Sequence, residues 1–148
     1  MQAQMLAPAA VLVAWSLVVL FWMGSARFGA MSKSGKSFKD APPGVRGQAL
    51  DGVLPDRANW KAHNYMHLME QPTLFYAVSL IIALLGAAAG DVLAAWIYVA
   101  LRIVHSIWQA TVNTLNVRFP LFIASTIALI YLAYRALALT LFPAMVAA

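Results

Sequence analysis

Residues 7–26 read APAAVLVAWSLVVLFWMGSA, a run without a single charged side chain. At about 1.5 Å of rise per residue, such a run spans roughly 30 Å as a helix, the thickness of a bilayer's hydrocarbon core. The uncharged character reaches back to Met1, and the first basic residue is Arg27. A cleaved leader carries a basic segment ahead of its apolar core, and none precedes this one. The run therefore reads as a retained membrane anchor.

Outward from this anchor the character changes. Residues 29–56 are rich in Gly, Ser, Lys and Pro, with Pro42-Pro43-Gly44 as a breaker, and form a loop. Asp56, after Pro55, is the expected N-cap of a second helix. That helix starts polar at Arg57, projects beyond the membrane, and is wholly apolar from Pro72 to Ala89. Gly86 to Asp91 makes a tight turn, and Pro143 ends the last apolar stretch. The expected helices are about 5–28, 57–88, 91–114 and 118–142 around the loop 29–56, in one domain. The fold class is all-α, an integral membrane four-helix up-and-down bundle.

Composition agrees with this reading. Hydrophobic residues make up 63% of the 148 and charged residues only 10%, against roughly 25% charged in an ordinary soluble domain. Cysteine is absent, which excludes disulfides, thiolate metal sites and a cysteine nucleophile. The net charge of +5 is not spread out: Arg27, Lys33, Lys36, Lys39, Arg46, Arg57 and Lys61 are seven of the ten Lys/Arg residues. Basic residues gathered behind an apolar span follow the positive-inside pattern, so nucleic acid is not an expected partner. The same rule puts the 29–56 loop in the cytoplasm and both termini on the opposite side. Arg135, near the far end of the fourth helix, is expected to snorkel to the interface without a functional role.

Polar side chains inside a membrane are expensive and need a reason. The third helix carries Arg102, His105, Gln109, Asn113 and Asn116 at spacings of 3, 4, 4 and 3, which places them on one helical face. The second carries Arg57, Lys61 or Asn64, His67, and Glu70 or Gln71 in a similar stripe. Counted from the turn, Glu70 lies about 30 Å along its helix and Arg102 about 17 Å along the next, so a direct pair between them is stretched. The expectation is a polar pocket that opens at the basic-loop face and narrows toward Arg102. Glue between helices, at about 1 kcal/mol per hydrogen bond, is the plainer explanation for any one of these residues. Several basic groups in one stripe suit an anionic ligand better.

The segment His63-Asn64-Tyr65-Met66-His67-Leu68-Met69-Glu70-Gln71-Pro72-Thr73-Leu74-Phe75-Tyr76 resembles the second-helix signature of the MAPEG family, membrane-associated proteins of eicosanoid and glutathione metabolism. The likeness continues through Trp96 to Ser106 and through Asn113 to Pro120, and it covers essentially the whole chain. Family enzymes use an Arg, an Asn and a Glu on the second helix to hold glutathione. Glu70 matches the Glu, His67 stands in place of the Asn and His63 in place of the Arg, with Arg57 and Asn64 nearby. His105 and Gln109 replace tyrosines that eicosanoid-synthesising members use. Arg118, just before Phe119-Pro120, falls where the family places the Arg that stabilises the thiolate. The pattern looks like a bacterial branch, which implies the inner membrane.

The resemblance implies a homotrimer that binds glutathione as cofactor between adjacent subunits. It implies a glutathione-dependent transferase or peroxidase acting on lipophilic electrophiles that arrive from the bilayer. Arg118 is then the catalytic residue. Arg57, His63, Asn64, His67, Glu70, Arg102, His105, Gln109 and Asn113 bind the cofactor, with Arg102 and His67 neutralising its carboxylates. The departures at His63 and His67 leave an alternative, a non-catalytic protein of the same fold that binds a lipid or a partner. A further reading takes His63, His67, Glu70 and His105 as metal ligands, since positions i, i+4 and i+7 share a helix face. No zinc-protease HExxH, Gly-rich phosphate loop or serine-nucleophile motif is present.

Overall fold

A computed structural model describes residues 1–35 and 42–143. Lys36 and Lys39 of the basic loop lie outside the described residues. Four helices, α1 (Gln2–Ser34), α2 (Asp56–Leu85), α3 (Ala89–Thr111) and α4 (Leu115–Leu141), carry the chain, and a short 3-10 turn covers Gly47–Leu50. Among the described residues there is no strand. All four helices are long and apolar enough to cross a membrane, and the protein is an integral membrane protein.

Side-chain contacts give the topology. Trp22 meets Lys61, whereas farther back on α1 Val13 and Leu17 line a cavity with Tyr76, so α1 and α2 run antiparallel. Asn64 reaches Ser106 and Phe75 stacks on Tyr98, which makes α2 and α3 antiparallel. Asp91 meets Arg135, and His105 faces Phe122, so α3 and α4 also oppose each other. The result is an up-and-down bundle in which α1 packs on α2 and α3, and α4 packs on α3 and α2.

The core follows from spacing. On α1, Met5, Leu12 and Val19 are buried at seven-residue intervals, and on α2 Leu68, Phe75 and Ile82 repeat that interval. A seven-residue repeat returns to the same face every two turns, which keeps a straight seam against a neighbour. Ser16, Ser79, Ser106 and Ser125 are also buried. Small hydroxyl residues at such seams let helices approach closely. Large apolar side chains on the outer faces, among them Phe21, Leu84, Ile127 and Leu137, stay exposed, as a lipid-facing surface requires.

Several boundaries differ from the sequence reading. Helix α1 continues to Ser34 and does not stop near residue 28. Gly and Ser weaken a helix without ending it, and no proline intervenes before Pro42. Its end comes at Gly35, whose φ of 68° is the left-handed conformation that glycine adopts without strain. The N-cap of α2 is Pro55, and Asp56 is the first helical residue, where its negative charge still suits the helix dipole. Asn59 donates to the carbonyls of Leu50 and Leu54 at 3.2 Å each, which ties the 3-10 turn to α2.

The end of the bundle near the α2–α3 turn holds a second departure. Asp91 is fully buried and caps α3 by accepting the Ala88 N–H at 2.9 Å. Its oxygens also accept from Arg135 at 2.9 and 3.2 Å and from the Tyr131 hydroxyl at 3.1 Å. Arg135 therefore does not snorkel. It pins α4 to the start of α3.

Candidate functional site

Helix α2 turns Asn64, His67 and Gln71 inward, at i, i+3 and i+7, toward the face of α3 that carries Tyr98, Arg102, His105, Ser106 and Gln109. Arg102 lies at the centre and is fully buried. Its Nε donates to the Tyr98 hydroxyl at 3.2 Å, its Nη1 faces His67 Nδ1 at 3.3 Å, and its Nη2 donates to Gln71 Oε1. The guanidinium also lies 5.4 Å from the Tyr98 ring and 5.2 Å from the Phe122 ring, within range of cation–π attraction. Among the described residues no carboxylate stands within ion-pairing distance of it.

Above Arg102, toward the basic-loop side, His67 and His105 stack with ring centroids 5.0 Å apart and planes 21° from parallel. Phe122 of α4 closes the edge of this stack, 5.6 Å from His67 and 6.4 Å from His105. Over it lies a cavity of about 190 Å³ lined by His67, His105, Leu115, Arg118, Phe119 and Phe122. The expected narrowing toward Arg102 is thus a closed floor: the imidazole pair separates the cavity from the guanidinium.

At the mouth, Arg118 Nη1 donates to Asn113 Oδ1 at 2.5 Å. Helix α3 has already ended at Thr111, and Asn113 has a φ of 59°. Asparagine tolerates that left-handed conformation better than most residues. Asn113 and Asn116 therefore do not extend the α3 stripe. Asn116 lies exposed in the first turn of α4, and Asn113 returns to the site only through Arg118. Gln109 is buried, and its Oε1 has no hydrogen-bond partner. Asn64 is buried and donates to Ser106 Oγ at 2.8 Å, an oxygen that also accepts from Trp15 at 2.9 Å.

The α2 stripe divides into two faces. Arg57, His63 and Glu70 are exposed on the outside of the single chain, away from Arg102. His63 Nε2 faces Asp51 Oδ2 at 3.1 Å, and Arg27 lies 3.9 Å from the same carboxylate. The backbone carbonyl of Arg57 accepts from Lys61 at 2.6 Å. Among the described residues no group of three His, Asp or Glu is arranged to hold a metal ion, which removes the geometry that the metal reading required.

Tyr98 and Phe122 belong to this site without having been singled out. Tyr98 is fully buried and stacks on Phe75 at 4.4 Å. Its spacing of four from Arg102 was the available signal, as was the spacing of four between Arg118 and Phe122.

A family model, that of the MAPEG family, matches residues 5–138. No curated protein and no solved structure matches the chain.

Proposed function

This chain belongs to the MAPEG family, and from that premise we propose that it is a membrane-bound, glutathione-dependent transferase or peroxidase acting on lipophilic electrophiles. The observation that carries the reading is Arg118, a cation at the mouth of a cavity whose other walls are Leu115, Phe119, Phe122 and two imidazoles. Such a lining suits a small anion and an apolar partner side by side. Behind the imidazoles, Arg102 is a buried cation with no carboxylate partner, and the buried Gln109 Oε1 is an acceptor without a donor.

Bound glutathione supplies the nucleophilic sulfur that a chain without cysteine lacks. Arg118 favours the deprotonated sulfur by placing positive charge beside it, and Asn113 holds the guanidinium in place. His67, His105, Asn64 and Gln109 offer hydrogen bonds from α2 and α3. Leu115, Phe119 and Phe122 keep water from the reacting groups and receive the lipophilic partner from the bilayer.

One chain encloses only part of such a guest, since 190 Å³ falls below the roughly 300 Å³ of a typical small-molecule pocket. A homotrimer supplies the remainder. Arg57, His63 and Glu70 lie on the outer face of α2, where an adjacent subunit would bring them to glutathione and Glu70 would accept from its ammonium. The proposed setting is a bacterial inner membrane with the 29–56 segment in the cytoplasm.

The test is conjugation of glutathione to a hydrophobic aryl halide by the purified protein in detergent. Wild type is expected to turn over, and Arg118→Ala to lose about 10²-fold of that rate. No turnover in the wild type, or an unchanged rate in the variant, contradicts the proposal. A second reading, a non-catalytic member that binds an anionic lipid, draws on His63 being held by Asp51. It requires binding to phosphatidylglycerol vesicles with no thiol turnover.

A further inference from the structure

We infer that Arg102 is a positioning residue that holds His67 as its Nε2–H tautomer, so that His67 serves the cavity as a hydrogen-bond donor and not as a cation. The argument is a chain of obligate donors and acceptors. Thr126 spends its hydroxyl proton on the Phe122 carbonyl at 2.8 Å, so toward Gln71 it can only accept. Gln71 therefore directs its Nε2 at Thr126, 3.0 Å away, and its Oε1 at Arg102. A guanidinium has five N–H donors, no acceptor, and never loses its charge in a protein.

Arg102 Nη1 faces His67 Nδ1 at 3.3 Å. A ring nitrogen facing that donor can only accept, so Nδ1 carries no proton and the single ring proton sits on Nε2. Protonating Nδ1 would set N–H against N–H and cation against cation. Tyr98, Gln71 and the two aromatic faces keep the guanidinium from turning aside. The Nε2–H has no acceptor among the described residues, and His67 lines the cavity.

The cavity floor thus presents an uncharged N–H to its guest. That donor favours a guest bearing an oxygen acceptor over a plain hydrocarbon. This replaces the expectation that His67 neutralises a carboxylate by its own charge. The inference rests on the proposed function only in taking this cavity to be the one that receives a guest.

Nitrogen NMR of ¹⁵N-histidine-labelled protein in detergent tests it. With only three histidines in the chain, the His67 signals are those missing from His67→Gln. Wild type is expected to show a bare Nδ1 and a protonated Nε2 at neutral pH, and to keep them on mild acidification. Glu70 on α2, Arg102 and His105 on α3 and Arg118 on α4 are the charged or titratable groups acting on this ring. In Arg102→Met the same histidine is expected to populate both tautomers and to take up a second proton on acidification.

A protonated Nδ1 in the wild type, or spectra unchanged in Arg102→Met, overturns the inference. If that variant does not fold, the wild-type spectrum alone decides. Thiol turnover is measured on the same sample. Its absence beside a bare Nδ1 removes the proposed reaction and leaves this inference, and normal turnover beside a protonated Nδ1 does the reverse.

Discussion

Two arginines sit inside the apolar bundle, and they are solved differently. Arg135 meets the carboxylate of Asp91 through two nitrogens, at 2.9 and 3.2 Å, and that carboxylate also caps α3 and accepts from Tyr131. The cluster is complete within one chain and asks for nothing further. Arg102 is buried completely, yet its partners are a phenol, an amide oxygen, an imidazole nitrogen and two ring faces, all of them neutral. Dipoles solvate a charge without cancelling it, and a buried charge lacking a counter-ion is hard to justify on stability alone. The first arginine explains how the helices are held. The second is a charge that helix packing alone does not account for.

The contrast makes quantitative demands on variants. Asp91→Ala should do the most damage, because it strands Arg135 and uncaps the Ala88 N–H together. About 3–5 kcal/mol of stability should go, read from unfolding in mixed micelles. A loss below about 1 kcal/mol would mean that the clasp is ornamental. Gln71→Leu should cost about 1–3 kcal/mol, since it removes the amide acceptor from Arg102 and leaves a buried donor unmet. Arg135→Lys keeps the charge but gives up the two-nitrogen geometry, and should cost about 1 kcal/mol.

Arg102→Met should change stability least, by less than about 1 kcal/mol, because removing an uncancelled buried charge offsets the loss of a donor to Tyr98, Gln71 and His67. The same variant should lose ligand affinity. A large loss of stability in Arg102→Met would make the two arginines alike and dissolve the comparison.

The difference between the clusters also explains what could be read from the sequence. Four long apolar stretches, a basic first loop and the turn before Asp91 are properties of single segments, and they specify a membrane bundle. The choice of face is harder. Lipid and protein interior are both apolar, so a membrane helix announces its inward side only weakly. A stripe drawn through Arg57, Lys61 or Asn64, His67 and Glu70 or Gln71 spans more than one face. The structure divides it, with Asn64, His67 and Gln71 inside and His63 and Glu70 outside.

Pairings across helices were beyond reach for the same reason. Spacing along α3 says that Arg102 and Tyr98 share a face, but only the packed bundle brings Phe122 and Gln71 to them. Asp91 looked like part of a turn, and its partner stands 44 positions away. Asn113 misled by continuing a regular spacing, although its left-handed backbone ends the register.

Titration calorimetry of glutathione into the purified protein addresses the central claim most directly. Saturable heat is expected for the wild type and for Arg135→Lys, and weaker binding for Arg118→Ala. A wild type that takes up no glutathione, or an Arg118→Ala variant that binds as well as the wild type, would contradict it.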